Sequence, residues 1–306
     1  MRYLAARMLL PLLCASLAAL PQDSAVLLVR VLDVSDARIG GDAILITDSS
    51  GGRARHVLID GSDRGATVIA RLGAFRVDTL AAVILSHPHA DHYGGLAAVL
   101  RRFPARAFAY GGTPRATASY RVLLGVIDSL RIPVVVADTG VRRLALATGD
   151  DTVTLRLLAP PPACRALVTS AGGEEVNNCS VGVRLARDGF TMLFPGDAEH
   201  AELGWWMMTQ PALLPADVLK AGHHGSDDST SPELLDAVRP RAVIITANGR
   251  QHPFADVLAL LVARGIPTYC TADAGTVTLR VPRRGAWTIT TQRRGACHAR
   301  SASFHR

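Results

Sequence analysis

The chain has 306 residues, 49% of them hydrophobic and 19% charged, which is enough apolar side chain for a full core and excludes a chain held open by its own charge. No tandem repeat or low-complexity block divides it, so a solenoid or a string of small modules is excluded as well. The formal charge of +7 is local: no acid follows Asp273, whereas Arg280, Arg283, Arg284, Arg293, Arg294, Arg300 and Arg306 do, so the rest of the chain balances.

At the N-terminus Arg2 and Arg7 flank the apolar stretch 8–20, and Ser16-Leu17-Ala18 offers small residues for cleavage. Residues 1–20 therefore read as a signal peptide or an N-terminal anchor, too short for a comfortable membrane span, and the protein is expected to be exported to the periplasm or beyond. In an oxidising compartment Cys164, Cys179, Cys270 and Cys297 can pair, and nearness in sequence favours Cys164 with Cys179 and Cys270 with Cys297.

Runs 25–34, 43–47 and 56–60 are apolar and β-branched and read as successive strands. Helical patterns at 66–75, 94–103 and 118–130 then alternate with short apolar runs at 81–85, 107–110 and 133–136. A second β-rich stretch (143–146, 152–158, 180–185, 191–194) precedes a second alternation, with helices at 198–208, 232–238 and 253–264 and strands at 218–220, 242–246, 267–270 and 276–281. Two halves of the same grammar imply an α/β domain over 25–290 in which helices cover sheets. Residues 291–306 are expected to form a basic tail, either solvated or lying along a polyanion such as DNA, anionic lipid or wall polymer. The stretch 159–176, with three consecutive prolines and Gly172-Gly173, is the least regular part.

The chemistry concentrates in Ser86-His87-Pro88-His89-Ala90-Asp91-His92, between the run 81–85 and a helix carrying Gly94-Gly95. In an extended turn, side chains two apart share a side, so His87 and His89 can grip one ion, while Asp91 and His92 project differently and can serve another. Imidazole nitrogen with carboxylate oxygen suits zinc, manganese or iron.

This motif resembles the signature of the metallo-β-lactamase superfamily. The resemblance implies an αββα sandwich of two mixed β-sheets covered by helices, with the site at the sandwich edge and one or two ions, Zn2+ or Mn2+. It also implies a later bridging Asp, for which Phe194-Pro195-Gly196-Asp197 supplies Asp197, and a further His after a strand. His223-His224 offers two candidates, of which His223 is taken as the ligand and His224 as its support. Val31-Leu32-Asp33-Val34, Gly41-Asp42, Leu58-Ile59-Asp60-Gly61, Asn178-Cys179-Ser180, His223-His224-Gly225-Ser226 and His252-Pro253 fall in an order that resembles the hydrolase domain of ComEC-type DNA-uptake competence proteins. Two departures stand out: the stretch 34–40 is longer than the usual family form, and no membrane channel accompanies the domain here.

No histidine lies between His92 and His200, so the third histidine with which many superfamily members complete the first site is missing. Asn178 falls in about that region and is read as a substrate or water contact; Ser180, Asp60 and Lys220 are read as supporting or substrate-facing groups. Lys220, the only lysine, contacts a phosphate or a site carboxylate, or is simply solvated. In the expected mechanism a metal-bound water loses its proton near neutral pH, Asp91 orients it, and His224 or His252 steadies or protonates the leaving group. Cleavage of a phosphodiester, DNA first, is the leading expectation; hydrolysis of esters, lactones or wall-polymer diesters is the alternative, and a non-catalytic polyanion-binding module is a third reading.

Overall fold

The computed structural model describes residues 26–36, 41–49, 54–137, 142–145, 153–166, 174–284 and 286–299. The segment read as an export signal lies outside the described residues. Strands β1 (Val26–Val31), β2 (Ile44–Asp48) and β3 (Arg55–Ile59) form an antiparallel meander. An alternation follows: α1 (Gly65–Ala74), β4 (Ala82–Ile84), α2 (Ala90–Tyr93), α3 (Leu96–Arg102), β5 (Phe108–Tyr110), α4 (Ala118–Ser129) and β6 (Val134–Val136). The second half repeats this, with β7 (Arg142–Ala145), β8 (Thr154–Leu158), β9 (Gly182–Arg187) and β10 (Phe190–Phe194) antiparallel to one another. Then come α5 (His200–Thr209), β11 (Val218–Lys220), α6 (Pro232–Val238), β12 (Ala242–Ile245), α7 (Ala255–Ala263), β13 (Thr268–Cys270) and α8 (Thr271–Ala274). Finally β14 (Val277–Pro282) and β15 (Thr288–Thr291) return to the first sheet.

The strand orders are β15-β14-β1-β2-β3-β4-β5-β6 and β13-β12-β11-β10-β9-β8-β7. Each sheet is mixed, because hairpins join its antiparallel strands while its parallel ones need helical crossovers. Residues such as Val29, Ile46, Ile84, Leu157, Val183 and Ile244 interleave between the sheets. Outside the first sheet α1, α3 and α4 bury Leu72, Leu96 and Leu123 against Leu45 and Leu58. Outside the second, α5, α6 and α7 bury Trp206, Leu234 and Leu261 against Leu193, Leu219 and Val243. Each such side chain removed from water contributes about 1.5–3 kcal/mol, which is why β2 and β4, covered on both faces, carry apolar residues on both faces. This is the αββα sandwich that the resemblance implies.

Local signals set several boundaries. Thr117 accepts a hydrogen bond from the backbone of Tyr120 (3.4 Å) to start α4, and Ser231 does so for Leu234 (3.3 Å) ahead of Pro232 in α6.

The C-terminus corrects the sequence reading. Strand β15 extends to Thr291, and residues 292–299 are tied to the domain: Arg293 Nη1 lies 3.1 Å from Asp33 Oδ2, His298 Nδ1 lies 3.0 Å from Asp273 Oδ1, and Cys297 is bonded to Cys270; the rest of the expected tail lies outside the described residues. Cys164 is bonded to Cys179, which ties down the proline-rich stretch expected to be irregular. Both pairings are those that nearness in sequence favours. Among the described residues no helix is long and apolar enough to cross a membrane.

Candidate metal centre

The strand ends on one edge of the sandwich supply the site. His87 follows β4, Asp197 follows β10, His223 and His224 follow β11, Thr246 follows β12, Asp60 follows β3, and Asp42 precedes β2. Asp91 and His92 stand in the first turn of α2, which starts at His89. Gly41 makes this approach possible: its φ is +95°, and a Cβ there would sit 1.7 Å from the carbonyl oxygen of Asp91. No other residue fits so close to that backbone.

Four ligand atoms converge. Asp197 Oδ2 lies 3.0 Å from His92 Nε2 and 3.3 Å from His224 Nε2; Asp91 Oδ2 lies 3.4 Å from His224 Nε2 and 3.8 Å from His92 Nε2. A tetrahedral ion with bonds of about 2.0–2.1 Å spaces its ligands by about 3.3–3.4 Å, and this quartet brackets that spacing. His224 Nε2, the atom that faces both carboxylates, is buried with no hydrogen-bond partner, as a ligand atom in wait of an ion would be. Beside them His87 Nε2 faces His89 Nδ1 at 3.0 Å and lies 3.9 Å from Asp197 Oδ2. Burial pushes His87 well down and His89 down from the ordinary imidazole value, which leaves neutral rings able to donate lone pairs. The donor set of nitrogens and carboxylate oxygens fits one or two cations of the zinc or manganese kind.

Behind the quartet each imidazole is held by its other nitrogen. His92 Nδ1 lies 2.9 Å from Asp60 Oδ2, and Asp60 also accepts from Ser86 N (2.8 Å) and Ser86 Oγ (2.7 Å). His224 Nδ1 lies 3.3 Å from Thr246 Oγ1 and 3.4 Å from Asp42 Oδ1, and Thr246 donates to Asp42 in a short bond. Although burial opposes protonation, Asp197 holds both His92 and His224 well above the ordinary value; protons balance here the charge that a cation would balance.

The two adjacent histidines exchange the roles expected of them. His223 and His224 both adopt left-handed backbone, with φ of 42° and 54°. This turn aims His224 into the quartet and leaves His223 at the mouth, its Nδ1 3.2 Å from Asp228 and 3.3 Å from Glu199. Burial works against its charge, but those carboxylates push His223 up to about 9.

Asn178 is also corrected, since both ends of its amide are used internally: Nδ2 donates to Glu199 Oε2 (3.1 Å) and Oδ1 accepts from Glu202 N (3.0 Å). It fastens the 174–179 turn to α5. Ser180 Oγ donates to Asn177 O (2.9 Å) and accepts from Asp197 N (3.2 Å), which positions the bridging candidate. Lys220 is fully buried, its Nζ 2.5 Å from Asp42 Oδ2 and 3.7 Å from Asp197 Oδ1, so the solvated reading fails and the carboxylate reading holds. His252 lines the mouth, its ring 5.5 Å from that of His223 and 5.9 Å from that of His224, and burial pulls it down to about 3.

Asp42, Thr246, Glu199 and Asp228 belong to the centre and were not singled out in the sequence. Gly41-Asp42 was visible only as part of a family pattern. Thr246, at the end of an apolar strand, carries no signal.

Fold and site together have the form of a metallo-β-lactamase-type, metal-dependent hydrolase domain. The family model described as metallo-beta-lactamase superfamily matches residues 38–164. The chain is 29% identical over 217 residues to ComE operon protein 3 of Bacillus subtilis, covering 70% of this chain and 26% of that protein. It is 29% identical over 177 residues to Recombination protein 2 of Haemophilus influenzae, covering 56% of this chain and 18% of that one. It therefore spans about a quarter or less of the curated relatives it matches. Among solved structures, Tm1679, a metal-dependent hydrolase of the beta-lactamase superfamily, superposes with a TM-score of 0.54 at 14% identity, over 83% of this chain and 98% of that one. CmlA, a diiron β-hydroxylase from Streptomyces venezuelae, superposes with a TM-score of 0.52 at 12% identity, over 83% of this chain and 54% of that one.

Proposed function

We propose that the protein is an exported phosphodiesterase that cleaves DNA with zinc or manganese in this centre. The observation that carries the metal-dependent step is the convergence of Asp91, His92, Asp197 and His224, with His224 Nε2 buried and without a hydrogen-bond partner among them. The choice of a DNA phosphodiester is supported by the similarity to ComE operon protein 3 and Recombination protein 2, and by the ComEC-like order of motifs. Export is supported by the two disulfides, which persist in oxidising compartments.

When bound, the ions supply Lewis acidity and an acidified water. The chain's own residues do the rest. His87, His89, Asp91, His92, Asp197 and His224 would hold the ions. Asp60 and Ser86 fix His92 so that Nε2 faces inward, and Asp42 with Thr246 does the same for His224. Ser180 holds Asp197 by its backbone N–H and Lys220 faces its Oδ1. Asp91, the most exposed carboxylate of the quartet, is placed to orient the attacking water. His223 and His252, facing each other at the mouth, are placed to meet the leaving oxygen.

The test is a time course of DNA degradation by purified protein with added manganese or zinc, beside Asp197→Ala. Metal-dependent cleavage that disappears in the variant supports the reading. Intact DNA, with turnover of small esters or lactones by the same metal-loaded protein, overturns the phosphodiester assignment and keeps the hydrolase.

A further inference from the structure

One cation at the mouth lacks an anion. Arg115 sits on the loop from β5 to α4, and its Nε and Nη1 are buried without any hydrogen-bond partner. Among the described residues no carboxylate pairs with it. The loop is pinned on both sides of this arginine: Thr113 lines a small recess with His87 and Pro88, and Thr117 Oγ1 lies 2.9 Å from Tyr93 Oη, one residue beyond the metal-centre His92. Arg115, between these two anchors, is thereby held on the side of the centre where His87 and the first turn of α2 lie.

Guanidinium nitrogens that are removed from water and meet no acceptor are costly, because a buried donor loses its hydrogen bonds to water and the charge raises that penalty. Such a group persists where a ligand completes it. Other arginines show the contrast: Arg293 is paired with Asp33, Arg264 with Asp236, Arg241 lies near Asp217 and over Trp287, and the partly buried Arg184 and the buried Arg187 donate to the carbonyl oxygens of Pro215 and Val281. Arg115 is only partly buried, so a partner from solvent can reach its guanidinium. The planar fork of arginine matches two oxygens of one phosphate.

We propose that Arg115 is a substrate-binding residue that clasps the non-bridging oxygens of a substrate phosphate at the side of the centre where its loop meets His87 and α2. The inference rests on the phosphodiester reading above and names the group that recognises the charge. It makes the centre selective for anionic over neutral substrates, because a neutral ester leaves the fork unfilled.

The experiment compares wild type, Arg115→Gln and Arg115→Lys, each checked for metal content and circular dichroism. Bis(p-nitrophenyl) phosphate and p-nitrophenyl acetate serve as anionic and neutral substrates, and calorimetric binding of thymidine monophosphate serves as a readout independent of turnover. Expected in Arg115→Gln are a fall of about thirtyfold or more in kcat/KM on the diester, a change within about twofold on the acetate, and nucleotide binding weakened about tenfold or more; Arg115→Lys recovers part of each, as a point charge without the fork would. Nucleotide binding that depends on Arg115 in a wild-type protein without diesterase activity upholds the anion site and overturns only the phosphodiesterase reading. Diester cleavage and nucleotide binding that are unchanged in Arg115→Gln, or a wild type that binds no nucleotide, overturn the inference.

Discussion

His92 is held from both sides by carboxylates: Asp60 Oδ2 lies 2.9 Å from its Nδ1 and Asp197 Oδ2 lies 3.0 Å from its Nε2. Asp60 therefore fixes which nitrogen is free to bind an ion. An amide at position 60 would turn an N–H2 toward Nδ1 or lose the bonds to Ser86, and either change releases the ring. Asp60→Asn is expected to weaken metal binding about 10- to 100-fold while leaving the fold intact, as measured by competition with a chelator. Unchanged affinity would mean that Ser86 alone orients His92.

The two neighbouring histidines separate by metal content. His224→Ala removes one corner of the quartet and is expected to lower the metal retained after dialysis, because the three remaining ligands leave a weaker site. His223→Ala leaves the quartet whole and is expected to keep the metal and lose rate. Elemental analysis of the two purified variants decides. Metal loss in His223→Ala with retention in His224→Ala would restore the ligand order read from the sequence.

That order shows where sequence reasoning stops. The strands, helices and the cluster His87, His89, Asp91 and His92 were legible because apolar period and ligand spacing are local properties, and a resemblance named the distant Asp197. The exchange of His223 and His224 was not legible, since two consecutive left-handed residues break the alternation from which side-chain direction is inferred. Asn178 was misassigned for a related reason. Its position in the chain suggested a missing ligand, but its partners, Glu199 and Glu202, arrive from α5 and follow no local rule. Arg115 stood out in no pattern, because an arginine becomes notable only when its surroundings are seen to hold no acceptor.

Reduction should cost stability in proportion to the loops closed. The disulfides join residues 15 and 27 apart, and each closes a loop for which release of the unfolded chain is worth about 3 kcal/mol. Reducing both is expected to shift the urea midpoint downward without abolishing metal binding, because none of the four cysteines belongs to the ligand quartet. Thiol titration of the unreduced, denatured protein that found these cysteines free would contradict the pairing.

Glu202 gives stability a pH dependence of known sign. Its carboxyl is fully buried, accepts a hydrogen bond from Ser180 N (2.8 Å), and is pushed by burial well above its ordinary value of 4.5. The folded state thus keeps a proton that the unfolded chain gives up once pH passes 4.5. The associated stability is fully present below that point and is lost as pH rises toward the folded value, by about 1.4 kcal/mol per pH unit. Glu202→Gln keeps the acceptor for Ser180 and cannot ionise, so its stability relative to wild type should grow with pH above 4.5 and then level off. Urea denaturation of the pair from roughly pH 4 to 8 measures this, and a difference constant over that range would mean that Glu202 does not titrate with folding.

Lys220 and Asp42 form the other buried test. Lys220 Nζ lies 2.5 Å from Asp42 Oδ2, both side chains are almost fully enclosed, and the Asp42 carboxylate also receives Thr246 and faces His224. Lys220→Met keeps the length of the side chain and removes the charge, so it isolates the electrostatic contribution. The loss leaves a buried carboxylate with one cation fewer, and breaking such a pair costs about 3–5 kcal/mol. The quartet feels it too, because Lys220 stands 3.7 Å from Asp197 Oδ1 and lowers the accumulated negative charge there. Metal-free Lys220→Met is therefore expected to unfold at lower urea than metal-free wild type, and added metal should recover more stability in the variant than in wild type, because the cation replaces part of the missing charge. Equal recovery in both proteins would place the role of Lys220 in packing beneath Asp42 and not in the charge balance of the centre.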